Sequence, residues 1–321
     1  MPAPLPEFYR HYYDYPTSDF TSTLIQTQDG GSYVIKTYEF PFSLPQDIAL
    51  ESPEAFKRNT EELAKTDQKT AKDQKLRYLN RVDLYVPKKI KSGEKRPAIL
   101  VSPILGGNMV VDRFCNYYAG RGYVAALVHR KRLLWDDGRE DIQQMEDYMR
   151  SSIIRLRQAV DWLEKQPEVD SERLGAFGIS YGAILHSVLA AVEPRIQYHV
   201  LAMPAAPLPE VMMHCPDSAC VKIMKHVKEK YGWSDAKIFL DLKRVLKTDP
   251  IRLAGAIKRD RVEIYIALFD RVVGAGRSWK LWHDMGKPRL RLLPFGHYGG
   301  IFVFPYLQTQ SFSALKKHLQ N

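Results

Sequence analysis

Residues 173 to 192 read Arg-Leu-Gly-Ala-Phe-Gly-Ile-Ser-Tyr-Gly-Ala-Ile-Leu-His-Ser-Val-Leu-Ala-Ala-Val. A short apolar run leads into Gly178-Ile179-Ser180-Tyr181-Gly182, and a helical pattern of small residues begins at once. A Ser placed in so tight a strand-to-helix turn takes a strained backbone conformation. Small residues two positions before and after it let the strand and the helix cross closely. Ser180 is therefore a candidate nucleophile for acyl chemistry. The competing reading is a tight turn whose Ser caps the following helix.

An acyl-transferring Ser needs a base for its proton, an acid that holds the base in one tautomer, and donors for the oxyanion. Asp270 directly follows the apolar run Val262 to Phe269, so its carboxylate can project over the end of a strand. His297 stands in Phe295-Gly296-His297-Tyr298-Gly299-Gly300, after a strand-like stretch from Arg289 to Leu293. Each has a plainer role available: Asp270 can cap the next helix or pair with Arg271, and His297 can be an ordinary loop histidine. The first oxyanion donor is expected from the backbone N–H of Tyr181, at the start of the helix after Ser180. The second is expected from the loop Pro103-Ile104-Leu105-Gly106-Gly107-Asn108, with the Leu105 N–H favoured; a loop that only connects strand to helix is the alternative.

The other histidines compete poorly. His129 closes a strand and is expected to line the pocket, His186 is expected to pack, and His214, His226, His283 and His318 lack a carboxylate in the required order. His214-Cys215 and Cys220 hint at a metal, but no second pair completes a ligand set. Neither metal nor cofactor is expected.

The elements that must position these residues follow from periodicity. The first 20 residues are rich in aromatics (Phe8, Tyr9, Tyr12, Tyr13, Tyr15, Phe20) and read as an arm lying over the domain. A half-buried strand is expected over 32–40, an exposed charged helical insertion over 53–75, and a further strand over 76–86. Beyond residue 96 apolar strands alternate with helices, which predicts an α/β chain with a mostly parallel sheet covered on both faces. Its strands are expected at 97–102, 123–128, 197–203 and 262–269. Its helices are expected at 109–120, 140–165, 275–285 and about 310–319. The longest should bury Ile142, Met145, Met149, Ile153, Leu156, Val160 and Leu163, spaced by three and four. Residues 204 to 257 interrupt the alternation and read as a helical lid, in which Val211, Met212, Met213, Val221, Ile223 and Met224 could take an acyl chain or simply pack. The organisation expected is an N-terminal extension, 1–76, packed on a main unit, 77–321.

A chain of 321 residues with 45% apolar content can bury a sizeable core. The three cysteines, Cys115, Cys215 and Cys220, cannot all pair, and Pro-rich residues rather than a basic and apolar leader follow Met1. A reducing, cytoplasmic setting is expected. No stretch approaches the roughly 18 apolar residues that span a bilayer. Lys plus Arg (47) exceed Asp plus Glu (37), for a net charge of +10. The cations are spread along the chain with no nucleic-acid module around them, so a solvated surface attractive to anions is the expectation. Peripheral contact with an anionic membrane is its competitor.

The order Ser180, Asp270, His297, each at an expected strand end, resembles the α/β-hydrolase superfamily from about residue 77 to residue 321. Pro103-Ile104-Leu105-Gly106-Gly107 is similar to that family's His-Gly-x-Gly-Gly oxyanion loop, with Pro103 and Ile104 replacing its first two residues. The segment after Met203, Asp270-Arg271-Val272-Val273 and Gly296-His297 are similar to the dienelactone-hydrolase and prolyl-oligopeptidase-like branches. The resemblance implies an eight-stranded, mostly parallel sheet and a cofactor-free serine hydrolase. His297 would deprotonate Ser180 and Asp270 would stabilise the imidazolium. A carboxylic-ester hydrolase for small or medium acyl chains is the function expected, with a small-molecule ester as its partner and no nucleic acid. A peptidase or acyltransferase using the same triad is one alternative, and a binding protein that keeps the fold as a scaffold is another.

Overall fold

The computed structural model describes residues 2–16, 20–48, 79–130, 139–299 and 304–320. The charged helical insertion expected over 53–75 lies outside them. Among the described residues nine strands form one sheet in the order β1-β2-β3-β5-β4-β6-β7-β8-β9. They are β1 (Thr23–Asp29), β2 (Tyr33–Pro41), β3 (Leu79–Pro87), β4 (Arg96–Ser102), β5 (Val124–Val128), β6 (Val169–Ile179), β7 (Ile196–Ala202), β8 (Val262–Ala267) and β9 (Arg289–Leu293). β1, β2, β3 and β5 pair antiparallel, and from β5 across to β9 every pairing is parallel. The expected count of eight is thus one short. The extra strand is β1, which is exposed at every residue and joins the sheet through backbone pairing with β2.

The helices are α1 (Met109–Ala119), α2 (Asp141–Glu164), α3 (Tyr181–Val192), α4 (Leu208–His214), α5 (Ser218–Tyr231), α6 (Asp235–Val245), α7 (Ala275–Asp284) and α8 (Phe304–Leu319). The last starts earlier than expected, because Pro305 sits in its first turn, where a missing N–H leaves no bond unmade. In β4, Ala98 and Leu100 point to the side of α2 and α3, whereas Ile99 and Val101 point to the side of α1 and α8. Successive side chains alternate across a sheet, so a strand covered on both faces must be apolar throughout. Parallel β7 and β8 are covered in the same way, with Leu201, Ile264 and Ile266 packing toward α7 and Tyr198, Val200 and Tyr265 on the opposite face.

α2 buries all seven positions expected of it and much of its polar face as well. The cover on its outer side is the aromatic arm. Arg150 donates to the Tyr12 carbonyl (2.6 Å), Arg157 donates to the Tyr13 carbonyl (2.6 Å), and the Tyr12 hydroxyl donates to the Glu146 carboxylate (2.7 Å). Glu146 also accepts from the Thr248 backbone N–H and hydroxyl (2.9 and 2.6 Å), tying α2 to the downstream end of the 204–257 excursion. Burial raises its carboxyl to about 7 against the pull of these donors. The excursion itself consists of α4, α5, α6 and short 3₁₀ turns, and it crosses above the carboxyl ends of the parallel strands. Among the described residues no helix is long and apolar enough to cross a membrane.

Candidate active site

The chain runs from β4 outward to β5 and then returns to place β6 on the other side of β4. Such a reversal opens a crevice at the carboxyl ends of the strands, where open α/β sheets bind ligands. Ser180 stands there, between β6 and α3, with φ 53° and ψ −119°, a conformation that L-residues rarely adopt. Its own backbone holds it in place: its N–H donates to the Ala202 carbonyl (2.8 Å) and its carbonyl accepts from the Ile184 N–H (3.0 Å). Gly182 packs against the end of β4, where a β-carbon would meet the Ser102 carbonyl oxygen at 2.8 Å.

The Ser180 hydroxyl lies 2.9 Å from Nε2 of His297, and Nδ1 of that ring lies 2.8 Å from Oδ2 of Asp270. Asp270 is 5% exposed, and its second oxygen, Oδ1, accepts from the Val272 and Val273 N–H groups (2.9 and 3.0 Å). The Asp270 side chain does not cap the next helix, whose N-cap is Gly274: one oxygen closes the turn after β8 and the other is bonded to the imidazole. A carboxylate only accepts, so the proton of the ring sits on Nδ1 and the lone pair of Nε2 faces the hydroxyl.

Ser180 and His297 open on an apolar cavity of about 300 Å³. Leu105, Gly106 and Tyr181 line it as well, so the two backbone segments expected to supply oxyanion donors border the same cavity as Ser180. The Tyr181 N–H belongs to the first turn of α3, where no intrahelical acceptor exists. Leu105 lies in a turn that the Gly107 N–H closes onto the Ile104 carbonyl (3.1 Å). Of the residues expected to accept an acyl chain, Val211 and Met212 line the cavity, and Met213, Val221, Ile223 and Met224 do not. For the last three the reason lies in α5, whose apolar side turns toward the core with Met224 buried and leaves Val221 half exposed.

His129 also departs from expectation. It does not line this cavity; its Nε2 lies 2.6 Å from the Asp83 carboxylate and its Nδ1 accepts from the Asn108 amide (3.2 Å), facing a separate polar cavity of about 450 Å³ beside β1, β2 and β3. His186 packs as expected and is wholly buried, beside His199 with ring centroids 6.4 Å apart. Burial pushes the His186 imidazole down to about 3 and that of His199 well below its ordinary value.

Three further features carry no simple sequence signature. Cys215 and Cys220 both line the cavity, and a hydrogen bond from Cys220 lowers the Cys215 thiol against the opposing effect of burial. The Tyr298 hydroxyl, next to His297 in the chain, donates to Asp217 (2.7 Å) and so links the His297 loop to the start of α5. Arg130, at the carboxyl end of β5, reaches the carbonyls of Ile104 and Leu105. Its position past the end of a parallel strand is the feature it shares with Ser180, Asp270 and His297.

A sequence model of the X-Pro dipeptidyl-peptidase (S15) family matches residues 58–216. Two uncharacterized proteins of Mycobacterium tuberculosis are 25% identical over 146 residues, 45% of this chain. That match spans 32% of their own length. Among solved structures, an acetyl xylan esterase from Paenibacillus sp. R4 superposes with a TM-score of 0.67 at 16% identity, covering 94% of this chain and 90% of that one. Acetyl xylan esterase 1 from Thermoanaerobacterium sp. JW/SL YS485 gives 0.66 at 17% identity, covering 97% and 95%. The α/β hydrolase GrgF from Penicillium sp. sh18 gives 0.54 at 15% identity, covering 76% and 95%. With a mostly parallel sheet of this order, a strained Ser in the turn after β6 and these likenesses, the chain has the fold of the α/β hydrolases.

Proposed function

We propose that the protein is a serine hydrolase that cleaves carboxylic esters of small or medium acyl chains. The observation that carries this is the hydrogen-bonded line Ser180, His297, Asp270 opening on an apolar cavity. His297 Nε2 takes the proton of the Ser180 hydroxyl as its oxygen attacks the ester carbonyl, and Asp270 stabilises the imidazolium formed. The backbone N–H groups of Tyr181 and Leu105 receive the negative charge that develops on the carbonyl oxygen. Collapse of the tetrahedral intermediate breaks the bond to the alcohol, which leaves with the proton from His297. Water then gives a proton to His297 as its oxygen attacks the acyl carbonyl, the bond from that carbon to the Ser180 oxygen breaks, and the proton passes from His297 to Ser180 as the acid departs.

The apolar lining by residues such as Val211, Met212 and Leu208 favours an acyl group over a sugar or a charged peptide in the part of the site nearest Ser180. A small-molecule ester is the partner this chemistry requires, and nothing in it calls on a nucleic acid. A peptidase is the second reading, favoured by the S15 match over residues 58–216, and it uses the same three residues.

The test is a panel of p-nitrophenyl esters of increasing acyl length beside X-Pro amides, with wild type and Ser180→Ala. Ester turnover that vanishes in the variant is expected. Full ester turnover without the Ser180 hydroxyl would refute the proposal, and preference for the amides would favour the peptidase.

A further inference from the structure

We propose that Arg130 is a positioning residue for the oxyanion hole, a role that rests on the reading of Ser180 as nucleophile. β5, β4 and β6 lie side by side, and just past their carboxyl ends stand Arg130, the Ile104-Leu105-Gly106 turn and Ser180-Tyr181 respectively. The Arg130 guanidinium donates from Nε to the Ile104 carbonyl (3.3 Å) and from Nη2 to the Leu105 carbonyl. Its Nη1 donates to the Tyr148 hydroxyl (2.9 Å). Tyr148 in turn stacks on the Tyr181 ring with centroids 6.4 Å apart, and the guanidinium carbon stands 5.8 Å from the centre of that ring. One cation therefore holds the Ile104-Leu105 backbone directly and packs, itself and through Tyr148, beside the Tyr181 side chain of the other segment.

The effect on the donors follows from peptide geometry. In a trans peptide the C=O and the next N–H point in opposite directions. With the Ile104 and Leu105 carbonyls drawn onto Arg130, the N–H groups of Leu105 and Gly106 are turned away from it. Ile104, Leu105 and Gly106 line the cavity and Arg130 does not, so the carbonyls are engaged behind the turn and the donors face the cavity side. The Gly107 N–H also holds the Ile104 carbonyl (3.1 Å), so the plane that leans most on Arg130 is the one between Leu105 and Gly106, where Gly106 lacks a side chain and Gly107 adopts φ 113°. A flipped plane would aim a carbonyl oxygen at the charge it should stabilise. The flip is opposed by two charge-assisted hydrogen bonds, which the planar guanidinium can make to neighbouring carbonyls together and an ammonium cannot.

The experiment compares wild type, Arg130→Lys, Arg130→Met and Tyr148→Phe as full chains. It measures kcat and KM for p-nitrophenyl butyrate, inhibition by a trifluoromethyl ketone that forms an oxyanion on Ser180, and binding of butyrate as a ligand that forms none. Loss of a full oxyanion donor costs about 100- to 1,000-fold; a misaligned one is expected to lower kcat about 10- to 100-fold in both Arg130 variants, with KM and butyrate affinity nearly unchanged. Affinity for the ketone should fall by a similar factor, and Lys should not rescue it. Tyr148→Phe removes the acceptor for Nη1 and should show the same split to a smaller degree. Wild-type ketone affinity in Arg130→Lys overturns the proposal. So does a fall in kcat that leaves ketone affinity unchanged. If neither Arg130 variant folds, unchanged ketone affinity in Tyr148→Phe overturns it. Fluorophosphonate labelling of Ser180 in the wild type separates the two ideas: without it the nucleophile reading itself fails, whereas labelling together with an insensitive Arg130 sinks only the positioning role.

Discussion

A β-carbon on Gly178 would stand 2.5 Å from the carbonyl carbon and oxygen of Gly182, so β6 and α3 touch backbone to backbone on either side of Ser180. The obstacle is main chain, which cannot rotate aside as a flexible side chain can. Gly178→Ala is expected to wedge β6 from α3, and Gly182→Ala to wedge α3 from the end of β4, each shifting the Ser180 hydroxyl off His297. Overpacking of this kind costs about 1–3 kcal/mol, readable by urea denaturation, and ester turnover should fall by far more than stability alone explains. Wild-type turnover in Gly178→Ala would show that the elbow tolerates a side chain.

Asp270→Asn should leave the turn intact and reverse the imidazole. The Val272 and Val273 N–H groups select the amide oxygen for the Oδ1 position, which leaves the NH2 group facing Nδ1 of His297. That ring must then put its proton on Nε2 and point it at the Ser180 hydroxyl. A loss of about four orders of magnitude in kcat follows from the wrong tautomer, with a melting temperature close to wild type. A variant within tenfold of wild type would remove Asp270 from the proposed triad.

His186 and His199 couple the packing beneath α3 to pH. Neither ring nitrogen of His186 has a hydrogen-bond partner among the described residues, and burial disfavours its charged form. Its value is depressed in the folded chain to about 3 from 6.5. The unfolded chain therefore binds more protons between those limits, and stability is present above the unfolded value and lost as pH falls through the window. The slope from His186 is about 1.4 kcal/mol per pH unit. Glu146 and Asp249, raised by burial to about 7 and about 6, act with the opposite sign in an overlapping range. The effect is accordingly read as a difference: urea stability of His186→Leu minus wild type should rise steadily from pH 6.5 to pH 5. A flat difference would mean that His186 is not held neutral.

Cys215 offers a thiol to the same cavity as Ser180, and its hydrogen bond from Cys220 favours the thiolate. Iodoacetamide is expected to alkylate Cys215 and block ester turnover, a bound competitive inhibitor should protect it, and Cys215→Ser should resist the reagent. Peptide mass mapping identifies the residue. Inactivation that persists in Cys215→Ser would place the sensitive group elsewhere.

Much of the fold is legible in the sequence because parallel strands buried on both faces are continuous apolar runs, as in Ala98 to Val101 and Val124 to Val128. The Ser180 turn is legible for a different reason, since only glycine satisfies the crowding at 178 and 182. β1 is not legible: its side chains are all exposed, and what orders it is backbone pairing to β2, which leaves no apolar pattern. Periodicity in α2 reveals the side facing the sheet but not the aromatic arm over its other side, because the arm is held by arginines and a carboxylate. His129 ends a strand as expected, yet the direction of a terminal side chain depends on the neighbouring strand, and Asp83 of β3 claims it. Arg130 escapes notice because its partners at Ile104 and Leu105 are carbonyls, which every residue possesses.

The roof over Ser180 is fastened unevenly. At Thr248 it is nailed to α2 by the buried Glu146 carboxylate, which also holds the arm through Tyr12. At the opposite end the bond from Tyr298 to Asp217 stands in solvent, with Tyr298 66% exposed. Water can replace such a bond at little cost, whereas the buried cluster has no substitute for its donors. The far end of α5 is fastened to α2 as well, through Lys230 and His226 on the buried Asp141 carboxylate, so the start of α5 beside His297 is the part held by an exposed bond, and the proposed hydrolase is expected to admit its substrate at that rim.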